Sequence, residues 1–153
     1  EMISNVTFEK TEYADLPHKF EAGTPNIAGV IAFGVALDYM NSIGFDNIEN
    51  HEKELLDYAT ENLKKIDGIK IYGDNNQKIS VISFNIGDHH PSDIGSILDQ
   101  FGIAVRTGQH CAQPIMDFFK ITGTLRISFA FYNTEKEIDF LIDTLKKAIK
   151  ILS

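Results

Sequence analysis

The chain has 153 residues, 43% hydrophobic and 24% charged, which is enough apolar material for one globular core of domain size. A net charge of -8 weighs against binding a phosphate backbone, and the single cysteine leaves no internal disulfide and fits a reducing compartment. The longest apolar run, residues 27–37, stops at Asp38 and is too short for a bilayer, and the N-terminus carries no secretory pattern, so a cytoplasmic protein with no membrane or nucleic-acid partner is expected.

Residues 1–26 show weak periodicity, broken by Pro17, Gly23 and Pro25, and read as irregular chain. Residues 27–43 are apolar nearly all round, which predicts a helix buried on most sides and ended by Gly44. A second helix is expected over about 46–67, with Ile48, Leu55, Ala59, Leu63 and Ile66 as its apolar stripe and Gly68 as its cap. Residues 69–72 and 79–86 read as strands, joined by turn chemistry at Asp74, Asn75 and Asn76. Pro91 starts a short helix through Ile94, Ile97, Leu98 and Phe101, and residues 103–105 read as a short buried strand leading into a polar loop. Residues 125–131 alternate, with Leu125, Ile127, Phe129 and Phe131 on one side and Arg126 and Ser128 on the other. Thr134 and Glu137 match a capping box ahead of a last helix carrying Ile138, Leu141, Ile142, Leu145, Ile149 and Leu152. The pattern is that of an α/β or α+β domain with a small sheet, preceded by about forty residues that belong elsewhere.

The segment Arg106-Thr107-Gly108-Gln109-His110-Cys111-Ala112-Gln113-Pro114 holds the only cysteine. Thiolates are the reactive form of cysteine, and neighbouring cations favour them. A lone cysteine is often a small buried hydrophobe, but the polar residues around Cys111 point instead to a chemical role. A cysteine hydrolase would need a base held by a third group; His110 is adjacent in sequence, where side chains tend to diverge. Arg126, on the polar side of a strand, suits bidentate capture of a carboxylate, although a solvated or ion-paired arginine is the simpler reading of that residue alone, and Arg106 shares the ambiguity. Gly23-Thr24-Pro25-Asn26 precedes a helix, where backbone amides and a hydroxyl can meet a phosphate, while a plain turn and cap accounts for the spacing equally simply. His89, His90, His110 and Cys111 match no zinc spacing, so no metal site is expected, and Lys19 reads as structural.

Taken together, these segments resemble the C-terminal part of a pyridoxal-phosphate-dependent cysteine desulfurase, in the group that includes selenocysteine lyases. The resemblance covers essentially the whole chain. Residues 20–26 are similar to the family's loop before a helix, 106–114 to its cysteine loop and 125–134 to its arginine strand. It implies a fold type I pyridoxal-phosphate transferase, in which residues 1–41 are the tail of the large domain and 42–153 the C-terminal small domain. It implies that Cys111, as thiolate, takes the sulfur of L-cysteine as a persulfide and releases L-alanine, with pyridoxal 5'-phosphate as electron sink. Arg126 matches the residue that grips the substrate carboxylate, and Arg106 and His110 match positions lining the site. Gly23 and Thr24 match a loop that reaches the cofactor phosphate of the partner subunit, which implies a homodimer. A sulfur-acceptor protein of iron-sulfur cluster assembly is the implied partner. The large domain, with its Schiff-base lysine, is absent from this chain and expected upstream, so the chain alone is expected to be inactive. Gln109 stands where the family commonly has histidine, as does Ser92 within residues 90–93. Selenocysteine lyase, or a non-catalytic domain that docks the sulfur acceptor, are the alternatives.

Overall fold

The computed structural model describes residues 2–73 and 78–153, so the turn expected at Asp74, Asn75 and Asn76 lies outside the described residues. The chain forms two compact units, Glu1–Gly44 and Phe45–Ser153.

The first unit holds an antiparallel hairpin, β1 (Ile3–Val6) and β2 (Thr11–Tyr13), where the sequence reads as irregular. Its short strands carry no hydrophobic alternation long enough to register as a pattern. The turn is closed by Thr7, whose hydroxyl accepts from the Lys10 amide at 3.0 Å. A single 3-10 turn, His18–Phe20, follows, with Lys19 lying over the Phe20 ring. Helix α1 (Ile27–Ile43) starts at Asn26, whose side chain accepts from the Gly29 amide at 3.1 Å, and ends at Gly44. The expected burial of this helix is not met: none of its residues is buried, and Phe33 is 64% exposed. Its apolar residues need neighbours on every side, and the described residues do not supply them. No single helix among the described residues is long and apolar enough to cross a membrane.

In the second unit, β3 (Ile69–Tyr72), β4 (Val81–Ile86), β5 (Arg106–Gly108) and β6 (Thr124–Ser128) form an antiparallel sheet of order β3-β4-β6-β5. Ile82, Phe84, Ile86, Leu125 and Ile127 alternate onto one face and are buried. Against that face lie α2 (Phe45–Leu63), α3 (Pro91–Gln100) and α5 (Glu135–Leu152), through Leu55, Ala59, Leu63, Ile94, Leu98, Ile138 and Leu145. Both α2 and α5 present the apolar stripes that their spacing predicts. The capping box of α5 is formed, with the Thr134 amide donating to Glu137 Oε2 at 2.8 Å. These bonds hold the Glu137 carboxyl below its usual range.

The structure moves several sequence boundaries: the helix expected over 46–67 runs Phe45–Leu63, and the strand expected over 79–86 runs Val81–Ile86. The strand expected at 103–105 falls on β5, three residues later, because Ile103 and Val105 serve as packing residues at the edge of the core rather than in the ladder. The strand read through residue 131 stops at Ser128. A short helix, α4 (Gln113–Phe119), follows the cysteine loop; the sequence reads Gln113 and Pro114 as polar loop and assigns nothing to residues 115–119. Pro114, at the start of that helix, is the signal that marks it.

Two outcomes follow from this arrangement. A truncated chain of residues 45–153 will bind less of an apolar fluorescent dye than the 153-residue chain, because α1 carries the exposed apolar surface; equal dye fluorescence would contradict that. Glu137→Gln will lower the stability of α5 at neutral pH. The lowered folded-state pKa makes the carboxylate's contribution full above the ordinary range and lost as pH falls through the folded value, so the two proteins will converge in acid denaturation curves.

Candidate active site

Strand pairing places four side chains in one row on the face of the sheet opposite the helices. Tyr72 pairs with Ser83, Ser83 with Arg126, and Arg126 with Arg106. Residues directly opposed in an antiparallel pair point the same way, so both guanidinium groups rise from adjacent positions on one face. Like charges so placed repel unless an anion or a strong acceptor lies between them. Arg126 Nε is buried and has no hydrogen-bond partner among the described residues.

The cysteine loop leaves the sheet at the end of β5. Gly108 there pairs with Thr124 and has φ +109, a backbone conformation that a side chain would strain. Gly123 packs against it so closely that an added Cβ would lie 2.9 Å from the Gly108 carbonyl. Asn85 holds this junction by donating to the Gly123 carbonyl at 2.9 Å. Beyond Gly108 the chain turns tightly, with His110 at φ 56 and Cys111 at φ 57. Two consecutive non-glycine residues in the left-handed region cost on the order of 1–3 kcal/mol each, and such strain persists where surrounding contacts enforce it.

The turn sends its two adjacent side chains to different partners. Cys111 is exposed, and Arg106 Nη2 donates to its Sγ at 3.8 Å. His110 is half-buried, with Nε2 at 2.8 Å from Thr124 Oγ1 and 3.2 Å from the Thr124 carbonyl. Burial and the positive charge of Arg126, with a further contribution from Arg106, push the His110 pKa down, against the bond to the Thr124 carbonyl, which raises it. The ring is therefore neutral at neutral pH. The split between His110 and Cys111 speaks against a hydrolase, which needs the base on the thiol.

Between the polar face of the sheet and α4 lies a cleft of about 460 Å³, lined by Tyr72, Ser83, His110, Ile115, Met116, Phe119, Thr124 and Arg126 among others. Phe119 closes one side with its ring edge-on to Tyr72, centroids 5.2 Å apart. The cleft is thus mostly apolar, with a buried guanidinium nitrogen and a buried imidazole nitrogen, His110 Nδ1, both without partners among the described residues. Such a lining suits a small molecule offering both an acceptor and a donor.

Of the residues singled out in the sequence, Arg106, His110, Cys111 and Arg126 come together in the second unit. Gly23 and Thr24 lie in the first unit, in an exposed bend ahead of α1, with Gly23 at φ +74 and open space where a Cβ would be. Sequence reasoning missed Thr124, the anchor of His110, and Ser83 and Tyr72, which share the arginine row. Their signal was the alternation itself: counted back from Arg126, Thr124 falls on the same face. Among the described residues, no group of three or more His, Cys, Asp or Glu is placed to hold a metal ion.

The family model for aminotransferase class V matches residues 1–141. A probable cysteine desulfurase of Xylella fastidiosa is 49% identical over 152 residues, covering 99% of this chain and 36% of that protein. A cysteine desulfurase of Cronobacter sakazakii is 45% identical, covering 99% and 37%. Among solved structures, the cysteine desulfurase CsdA of Escherichia coli superposes with a TM-score of 0.85 at 36% identity, covering 98% of this chain and 37% of that one. The apo cysteine desulfurase of Thermococcus onnurineus gives 0.84 at 36% identity, covering 97% and 38%. The chain thus spans a little over a third of the length of the curated relatives it matches.

Gly123→Ala will force β5 away from β6, cost about 1–3 kcal/mol in unfolding free energy and change the alkylation rate of Cys111 by iodoacetamide. An unchanged rate would show that the junction does not set the loop. The lowered His110 pKa carries its own sign. The unfolded chain takes up the proton first, so stability is full above the ordinary imidazole range and falls as pH drops from there toward the folded value. In His110→Gln, that acid-side loss will be smaller in urea denaturation curves.

Proposed function

The chain belongs to the aminotransferase class V family, and we propose that it is the sulfur-relaying part of a pyridoxal-phosphate-dependent cysteine desulfurase. The observation that carries this reading is the contact of Arg106 with the exposed Cys111, on a strained turn beside Arg126 and a neutral His110. The names of the relatives above point to sulfur rather than selenium as the atom moved.

The residues present fit an amino-acid substrate and its cofactor. The buried Arg126 Nε lacks an acceptor and the buried His110 Nδ1 lacks a partner, and both lie on one cleft. A substrate carboxylate would satisfy the guanidinium, and a donor on the substrate would satisfy the imidazole. Gly23 and Thr24, with a positive-φ bend, open space and a hydroxyl ahead of a helix, have the chemistry to meet a phosphate. The lysine that holds the cofactor would come from the rest of the protein. When bound, pyridoxal phosphate supplies the electron sink that weakens the bond from Cβ to sulfur.

In this reading Arg126 orients L-cysteine by its carboxylate, held on a strand that packs on the core. Arg106 holds the Cys111 sulfur in place at the mouth of the site. The Cys111 thiolate forms a bond to the substrate sulfur as the carbon–sulfur bond breaks. The electron pair of the broken bond stays on carbon, which is protonated and leaves as L-alanine, while the sulfur remains on Cys111 as a persulfide. The exposure of Cys111 then lets a sulfur-acceptor protein of iron-sulfur cluster assembly collect it. A homodimer, in a cytoplasm reducing enough to keep the thiol free, completes the proposal.

The test uses the whole protein with pyridoxal phosphate and L-cysteine. Alanine should appear, and mass spectrometry after thiol-selective trapping should find one extra sulfur on Cys111. Cys111→Ala should lower turnover by about 10³-fold or more, as loss of a nucleophile does. Failure to find alanine or the added sulfur would overturn the reading.

A further inference from the structure

We propose that Thr124 is the positioning residue that fixes the tautomer of His110, so that Nδ1 stands in the cleft as a free proton-accepting lone pair. Nε2 of His110 lies 3.2 Å from the Thr124 carbonyl and 2.8 Å from its hydroxyl oxygen. A carbonyl only accepts, so its contact favours a proton on Nε2, whereas the hydroxyl can donate or accept and fits either tautomer. With the proton on Nε2, both Thr124 oxygens accept from it. With the proton on Nδ1, a ring lone pair would face the carbonyl, and a buried N–H would be left without an acceptor among the described residues. Only the first tautomer gives the carbonyl a donor and keeps a ring lone pair from facing it.

The surroundings keep the ring in that state. Thr124 is 1% exposed, so water does not compete for its oxygens. It pairs with Gly108, which ties the anchor to the strand that launches the loop. The charged groups that act on the ring are Arg126 and Arg106, both cations, and both oppose a second proton on it. His110 thus lines the cleft as a neutral ring together with Arg126, its Nδ1 buried and without a partner among the described residues. In the desulfurase reading, on which the catalytic consequence rests, this lone pair accepts a proton or a hydrogen bond from the reacting amino acid. The tautomer itself does not depend on that reading.

The test separates the two. In the whole protein labelled with ¹⁵N-histidine, NMR should find His110 protonated on Nε2 alone, titrating below the ordinary imidazole range. Thr124→Val keeps the shape and the carbonyl but removes the hydroxyl. It should keep the proton on Nε2, which still faces the carbonyl, and move the titration further down, because the protonated ring loses an acceptor. Alanine release should fall about threefold to tenfold, the size of one hydrogen bond, and the acid limb of its pH profile should move with the NMR midpoint. Thr124→Ser, which restores the hydroxyl, should restore both. A wild-type proton on Nδ1, a valine variant whose proton moves to Nδ1, or a valine variant with the wild-type titration midpoint and pH profile, would overturn the proposal. If the whole protein releases no alanine, the desulfurase reading fails while the NMR result still decides the role of Thr124.

Discussion

The site hangs from the close approach of Gly108 and Gly123. Only there can β5 and β6 come near enough for Arg106 to stand opposite Arg126 and for Thr124 to lie under the ring of His110. The approach is enforced from both sides. Asn85 fixes the Gly123 carbonyl from within the sheet. On the helical face, Gly95 of α3 sits so close to Thr107 that an added Cβ would meet its methyl at 2.5 Å. Strand β5 is therefore clamped between a helix and a neighbouring strand, although it is a short edge strand. A short edge strand alone would fray; clamped in this way it can hold the turn beyond it in a costly conformation.

That rigidity has an electrostatic counterpart. The chain as a whole carries a net charge of -8, yet the row on the sheet brings two arginines together with no carboxylate opposite them in the ladder. Folding thus concentrates positive potential in one place on an acidic molecule. The imidazole nearest to it cannot add to that charge, because burial and the guanidinium groups hold it neutral. The result is a cleft with one fixed cation, Arg126, one neutral acceptor and apolar walls from α4. A zwitterionic amino acid is the kind of ligand that such a division of labour accommodates.

Much of this was legible in the sequence, and the exceptions share a cause. Helices α2, α3 and α5 and the two long strands showed because each buries one face, and burial leaves a period in the residues: Ile82, Phe84 and Ile86, or Ile138, Leu141 and Leu145. The capping box showed because its chemistry is local. Cys111, Arg106, His110 and Arg126 stood out through residue types and through likeness to a family, and the structure brings them together. What did not show were the features that depend on pairing between distant segments. The hairpin of the first unit is exposed and leaves no period. β5 is too short to alternate, and Thr124 looks like any threonine until the register puts His110 beside it.

Helix α1 states the same limit in the opposite sense. Its sequence, apolar nearly all round, was read correctly as that of a helix, and wrongly as buried. Composition reports the surroundings a helix is made for, whereas the structure reports only the neighbours present. An isolated helix of this length gains little from its backbone alone, and exposed residues such as Ile31, Phe33 and Val35 gain nothing from burial. A stable form of α1 requires an apolar partner surface, and that requirement has a bearing on the site. The bend at Gly23 and Thr24 stands just ahead of this helix and takes its position from it. Any role for that bend in holding a phosphate therefore waits on whatever covers α1, while the arginine row and the cysteine turn are already fixed by the core of the second unit.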